Sequence, residues 1–118
     1  MSIAAHPVLD RLVAAYNAGD AAGFAAILAE DVRIVSYPGR VLQASAAEVR
    51  AHYEKVFAEN PGNRTEVVHR VVLGDRVVDH ERVRRSAGAE PFDVIAINTL
   101  AGDRIASIEF VSNAKAGE

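Results

Sequence analysis

Leu9, Leu12, Val13 and Tyr16 recur at spacings of three and four, which places them on one face of a helix, and Pro7 just before them suits a first helical position. Asn17-Ala18-Gly19 ends that helix. Asp20 can cap a second, short helix whose inner face is Phe24, Ile27 and Leu28, after which Glu30-Asp31 leads into an extended run from Val32 to Tyr37. Pro38-Gly39 is a turn. Ser45-Ala46-Ala47-Glu48 is a capping box, in which the Ser and Glu side chains each satisfy an otherwise free amide at a helix start. The third helix that follows carries Val49, His52, Tyr53, Val56 and Phe57 on one stripe and stops at Asn60-Pro61-Gly62-Asn63.

From Arg64 to Ser112 the period becomes extended, with β-branched runs interrupted at Gly74-Asp75, Ala87 to Pro91 and Ala101-Gly102-Asp103. Four antiparallel strands in a meander result. Helices first and strands last indicate an α+β domain with the helices on one side of the sheet. A two-residue Gly74-Asp75 turn sets Leu73 opposite Arg76, and therefore His69 opposite His80 and Arg70 opposite Asp79. One face then holds Val67, His69, Val71, Val78, His80 and Arg82; the other holds Val68, Arg70, Val72, Val77, Asp79, Glu81 and Val83. Both faces are mixed, so the pattern leaves either one available to a pocket.

At 118 residues, half of them hydrophobic and a quarter charged, the chain fits one globular domain spanning residues 1–118. With 13 basic and 16 acidic residues its formal charge is −3, which gives no pull toward nucleic acid or anionic membrane. The absence of cysteine confines any chemistry to His, carboxylate, Tyr and hydroxyl groups. Met1 to Ala5 lacks the basic flank and apolar run of a signal peptide, and no segment is apolar over a membrane's width, so a cytoplasmic protein is expected. His52, His69 and His80 do not have metal-ligand spacing, and neither a Gly-rich phosphate loop nor a nucleophile elbow occurs. No metal or cofactor is expected.

The order of elements, with Val13-Ala14-Ala15-Tyr16-Asn17-Ala18-Gly19-Asp20, Leu28-Ala29-Glu30-Asp31-Val32, the capped third helix and Val77-Val78-Asp79-His80-Glu81-Arg82-Val83, resembles the NTF2-like superfamily. Within it the likeness is to SnoaL-like and steroid Δ-isomerase-like bacterial proteins. The resemblance implies a cone-shaped, curved antiparallel sheet wrapped around three N-terminal helices and enclosing a pocket. The superfold hosts many activities and some non-enzymes. Ketosteroid isomerase works with an Asp base and with Tyr and protonated Asp as oxyanion donors. Laid on this chain without gaps, that pattern meets Leu12 at the Tyr, Ser36 at the base and Ile95 or Ala96 at the second Asp. None of these can do the job, which speaks against steroid isomerisation by that mechanism. The same overlay puts Tyr16, His52, Tyr53, His80 and Arg82 at or near cavity positions.

His80 is the expected general base because imidazole titrates near neutrality, the alternative being a core histidine bonded to a carbonyl or to His69. Tyr16, one turn beyond Leu12, is either an oxyanion donor or a core aromatic. Arg82 is expected to assist the oxyanion, with His52, Tyr53, Tyr37 and Asn98 as ligand contacts; His52 otherwise needs only Tyr37 or a backbone partner. Asp79 and Glu81 share a face about 7 Å apart, as two cooperating carboxylates would, but Arg70 opposite Asp79 argues for an ion pair. That face, with Val68, Val72, Val77, Arg70 and Asp79, is assigned to a homodimer interface. The function expected is a small-molecule enzyme of isomerase, lyase or hydrolase type acting on an apolar substrate by general acid–base catalysis; the alternative is a non-catalytic ligand-binding or dimerisation module.

Overall fold

The computed structural model describes residues 3–112. Helix α1 (Pro7–Asn17) starts with Pro7 at its first position and His6 as cap, whose Nδ1 accepts the Leu9 amide at 3.4 Å. Gly19 leaves it at φ +68°, and Asp20 Oδ1 accepts the Gly23 amide at 2.9 Å to open α2 (Ala21–Ala26). At the start of α3 (Ala46–Glu59) Ser45 Oγ accepts the Glu48 amide at 3.1 Å, and Glu48 Oε1 reaches one residue past the cap to accept the Ala44 amide at 3.0 Å, a shifted form of the expected box.

The second helix is shorter than the apolar pattern suggests. Ile27 closes it, and the Ile27 carbonyl accepts the amide of Ile105, so the chain turns into β1 (Leu28–Ser36) four residues before Val32. After the Pro38-Gly39 turn a short return strand, β2 (Arg40–Gln43), pairs with β1. The meander follows as β3 (Arg64–Leu73), β4 (Arg76–Arg84), β5 (Phe92–Ala101) and β6 (Arg104–Ser112). Six strands thus form one curved, unclosed sheet in the order β2-β1-β6-β5-β4-β3, antiparallel throughout except that β1 runs parallel to β6. The α+β architecture and the curved, mostly antiparallel sheet are as expected, with β1 and β6 as the one parallel pair among the described strands.

The Gly74-Asp75 register holds from Leu73 back to His69, with His69 opposite His80 and Arg70 opposite Asp79. Beyond it a bulge at Val68 shifts the count by one, so Val67 rather than Val68 faces Glu81. An extra residue in one strand bends it and tightens the twist, which helps curl the sheet over the helices. The core lies in that concavity, with Leu9, Leu28, Val32, Val49, Val77, Ile105 and Ile108 all fully or almost fully buried. No helix among the described residues is long and apolar enough to cross a membrane.

Candidate functional site

The register on β4 leaves two candidate faces, and burial decides between them. Val77, Asp79 and Val83 are buried against the helices, and Glu81 lies between them; Val78, His80 and Arg82 alternate outward. Arg70 explains how Asp79 comes to be inside. Its Nε and Nη2 donate to the two Asp79 carboxylate oxygens at 2.7 and 3.0 Å, and Nη1 donates to Asp10 Oδ1 at 2.7 Å and the Ala4 carbonyl at 2.9 Å. This fork ties β3 and β4 to the start of α1. The Arg70 bond holds the Asp10 carboxyl below its usual range, and the bond to Asp79 raises Arg70. The Arg70–Asp79 part of the face assigned to a dimer interface is therefore covered by the start of the chain's own first helix, while Val72 nearer the hairpin stays exposed.

Between the helices and the inward faces of β3 to β6 lies a cavity of about 40 Å³. Helices α1, α2 and α3 contribute Leu12, Val13, Tyr16, Phe24 and Tyr53; the sheet contributes Thr65, Glu81, Val83, Val94, Ala96, Asn98, Ile108 and Phe110; Arg85 and Phe92 complete the wall. Tyr16 packs edge-on against Tyr53 and Phe57, with ring centroids 5.9 and 5.4 Å apart. Beside the Tyr53 ring and its hydroxyl, the largely apolar wall is polar at three places.

Glu81 is the first. Its Oε1 accepts the Thr65 hydroxyl at 3.0 Å, and burial among Val83, Val94 and the helix aromatics pushes the carboxyl up to about 7; the nearby Asp79 charge adds to the rise, while the Thr65 bond and Arg70 oppose it. The second is the group around Tyr16. Arg85 Nη1 donates to Tyr16 Oη at 3.2 Å and to Asn63 Oδ1 at 3.3 Å, and the guanidinium lies 5.2 Å from the centre of the Phe92 ring. Burial raises the Tyr16 phenol, with Asn63 and Arg85 pulling the other way, so the hydroxyl keeps its proton and can donate it. Asn98 is the third, 1% exposed on β5. A carboxyl able to exchange its proton near neutrality, facing an apolar space that also holds a phenol and a guanidinium, can move protons on a bound molecule.

Tyr16, Tyr53 and Asn98 lie in the cavity wall. His80, Arg82, His52 and Tyr37 do not. His80 Nε2 meets Asp93 Oδ2 at 2.8 Å on the outer face, where Arg82 Nε donates to Asp93 Oδ1 at 3.0 Å, and His69 stacks on His80 at 5.5 Å. Alternation along β4 puts these residues a layer of sheet away from the space they were expected to line. His52 sits edge-on to Tyr53 at 4.9 Å, outside the cavity, because the inward positions of α3 are Val49 and Tyr53, one turn apart. Tyr37 is 61% exposed beside the turn. Leu12 lines the cavity where the isomerase pattern would need a hydroxyl, and Ser36 lies outside its wall.

Thr65 and Arg85 carried no distinguishing signal, and Asn63 reads only as part of the Asn60-Pro61-Gly62-Asn63 helix stop. Glu81 had one. It lies on the alternate positions that begin with Val77 and end with Val83, the more apolar of the two stripes.

A family model described as a SnoaL-like domain matches residues 9–108. Among solved structures, an uncharacterised cystatin-fold protein from Novosphingobium aromaticivorans is 29% identical, with 88% of this chain and 94% of that one covered and a TM-score of 0.81. A protein from Sphaerobacter thermophilus is 25% identical over 97% of this chain and all of that one, with a TM-score of 0.73. A ketosteroid-isomerase-like fold from Catenulispora acidiphila, solved with trimethylamine, has a TM-score of 0.80 at 11% identity over 97% of this chain and 90% of that one, which shows a shared fold. No curated protein matches the sequence.

Proposed function

The chain belongs to the SnoaL-like domain family, and we propose that its cavity carries out a cofactor-independent general acid–base reaction, of isomerase, lyase or hydrolase type, on a small apolar molecule bearing a carbonyl group. The observation that carries this reading is the position of Glu81, the one carboxylate in an otherwise largely apolar wall, with Oε1 held by Thr65. Glu81 removes a proton from the carbon next to the carbonyl and returns it at a second atom. Charge developing on the carbonyl oxygen is met by the Tyr16 hydroxyl and the Arg85 guanidinium, donors already in place before the reaction. The catalytic proposal thus passes from His80 to Glu81 and from Arg82 to Arg85, while Tyr16 keeps its part and Tyr53 and Asn98 contact the ligand. Steroids with a 3-oxo-Δ5 group are not the substrates on this reading, since neither Leu12 nor Ser36 supplies the needed group.

The test is exchange of α-protons for solvent deuterium in cyclopentanone and cyclohexanone, followed by NMR. Wild-type protein is expected to accelerate exchange at least ~100-fold over Glu81→Gln, the scale of one general base. Equal rates in the two proteins defeat the reading. The second reading, a ligand-binding module without catalysis, is favoured by Leu12, which stands in the cavity wall where the isomerase pattern needs a hydroxyl. Saturable binding of the ketones with no exchange selects it.

The same proposal includes a homodimer, moved to the outer face of the sheet. Val71 is 62% and Val111 37% exposed there, on a surface shared with Val78, Ile95 and Ile97. An apolar face of this kind is usually covered by a second copy.

A further inference from the structure

We propose that Asn98 selects the ligand: its carboxamide oxygen is an acceptor for a hydroxyl or N–H group carried by the bound molecule. The inference rests on the reading of the cavity as a ligand site. Asn98 stands at the middle of β5, opposite Val77 on β4 and Ile108 on β6, and is 1% exposed in the cavity wall. Its Nδ2 donates to the Val77 carbonyl at 3.0 Å and to the Ala96 carbonyl at 3.3 Å. Both donors are spent on the sheet, and that fixes the amide: the reverse orientation would set Oδ1 against two carbonyl oxygens.

Oδ1 is left with no hydrogen-bond partner among the described residues. A buried acceptor without a donor costs free energy that an apolar side chain of the same shape does not. The side chains beside it on the same sheet face, Ala96, Ile108 and Phe110, carry no hydrogen to give. A ligand that brings a hydroxyl or N–H repairs the defect; one of equal shape without a donor does not, and a site built this way discriminates strongly between the two. Glu81 is opposite Val94, four residues along β5 from Asn98, so recognition at Asn98 is separate from proton transfer at Glu81. The ligand class is a small, mainly apolar molecule with one hydrogen-bond donor.

Phenol and toluene, alike in shape and differing in the hydroxyl, are the probes. NMR titration of the full chain is expected to show phenol bound about tenfold more tightly than toluene, the scale of one net hydrogen bond. The Asn98 carbonyl carbon should shift downfield with phenol and stay in place with toluene. Asn98→Leu should bring the two affinities together or reverse their order. Should that variant fail to fold, the carbonyl-carbon shift in the wild type decides alone. Equal affinities, tighter toluene, binding of neither probe, or a carbonyl carbon unmoved by phenol overturns the proposal. In Glu81→Gln the preference for phenol should survive, so loss of ketone exchange there strikes the acid–base reading and leaves the role of Asn98 intact.

Discussion

On β4, Val77, Asp79, Glu81 and Val83 turn toward the helices, and Val78, His80 and Arg82 turn away. Each set holds ionisable groups at alternate positions, and each has a partner on a neighbouring strand. Inside, the Asp79 charge is fully buried and held by a two-pronged guanidinium that also grips α1, while Glu81 is pushed toward its neutral form by burial. Outside, His80 and Arg82 share one exposed carboxylate, Asp93, which Arg82 first and His80 second hold below its usual range. The difference shows that the number of charges on a strand face does not decide which way it points. What decides is whether a second element can complete each charge, as Asp10 and Ala4 on the α1 side complete Arg70.

Breaking the inner ion pair should have the largest effect. Asp79→Asn leaves the buried Arg70 guanidinium with the half-exposed Asp10 as its remaining carboxylate and should lower stability by about 3 kcal/mol, the lower end of the cost of removing one partner of a buried pair. Urea unfolding at neutral pH checks this, and a loss under about 1 kcal/mol would mean that the pair is not sealed from water.

A pH series on Glu81 comes next. Its folded-state pKa of about 7 stands above the reference of 4.5, so between those values the folded chain binds the extra proton. Stability then falls as pH rises from about 4.5 to 7, because the charged form is the costly one inside. The loss has an upper bound of about 3 kcal/mol. Glu81→Gln, neutral at every pH, should lack this slope and unfold at higher urea than the wild type at pH 8. Parallel pH curves for the two proteins would place the Glu81 carboxyl in water.

Val71→Lys on the outer face should weaken self-association at least ~10-fold by sedimentation equilibrium while leaving the urea midpoint of the monomer almost unchanged. If the wild type is itself monomeric at micromolar concentration, the outer-face dimer is wrong. The smallest effect is expected from His80→Gln, which keeps a hydrogen-bonding group toward Asp93 and should change stability by less than about 1 kcal/mol. A larger loss would make the outer cluster more than a surface feature.

Much of the scaffold was legible because it is encoded locally. Pro7, Asp20 and the Ser45–Glu48 box start their helices where expected, and Gly74-Asp75 fixes the register from Leu73 to His69. Features that depend on distant partners were not legible. The end of α2 is met by Ile105, the parallel pairing of β1 needs β6, and the slip at Val68 shows only in the pairing of β3 with β4. For the same reason helix periodicity placed Tyr16 and Tyr53 on stripes that do turn inward, whereas His80 faces outward and Glu81 inward, the reverse of what was expected of them. Arg70 opposite Asp79 looked the same in sequence whether it met a second chain or Asp10 of its own.

The parallel pairing of β1 with β6 also bears on how the molecule is assembled. Leu28 finds its partner in Ile105, so the β1–β2 hairpin is joined to the rest of the sheet by β6, which is made after every other described strand. Until Arg104–Ser112 has been synthesised, β1 and β5 both present open edges, and the early helices have only part of the surface they will pack against. Pairings so far apart in the chain form late. Nascent chains stopped short of residue 104 should therefore be protease-sensitive and adhesive, and protection should arrive in one step with β6.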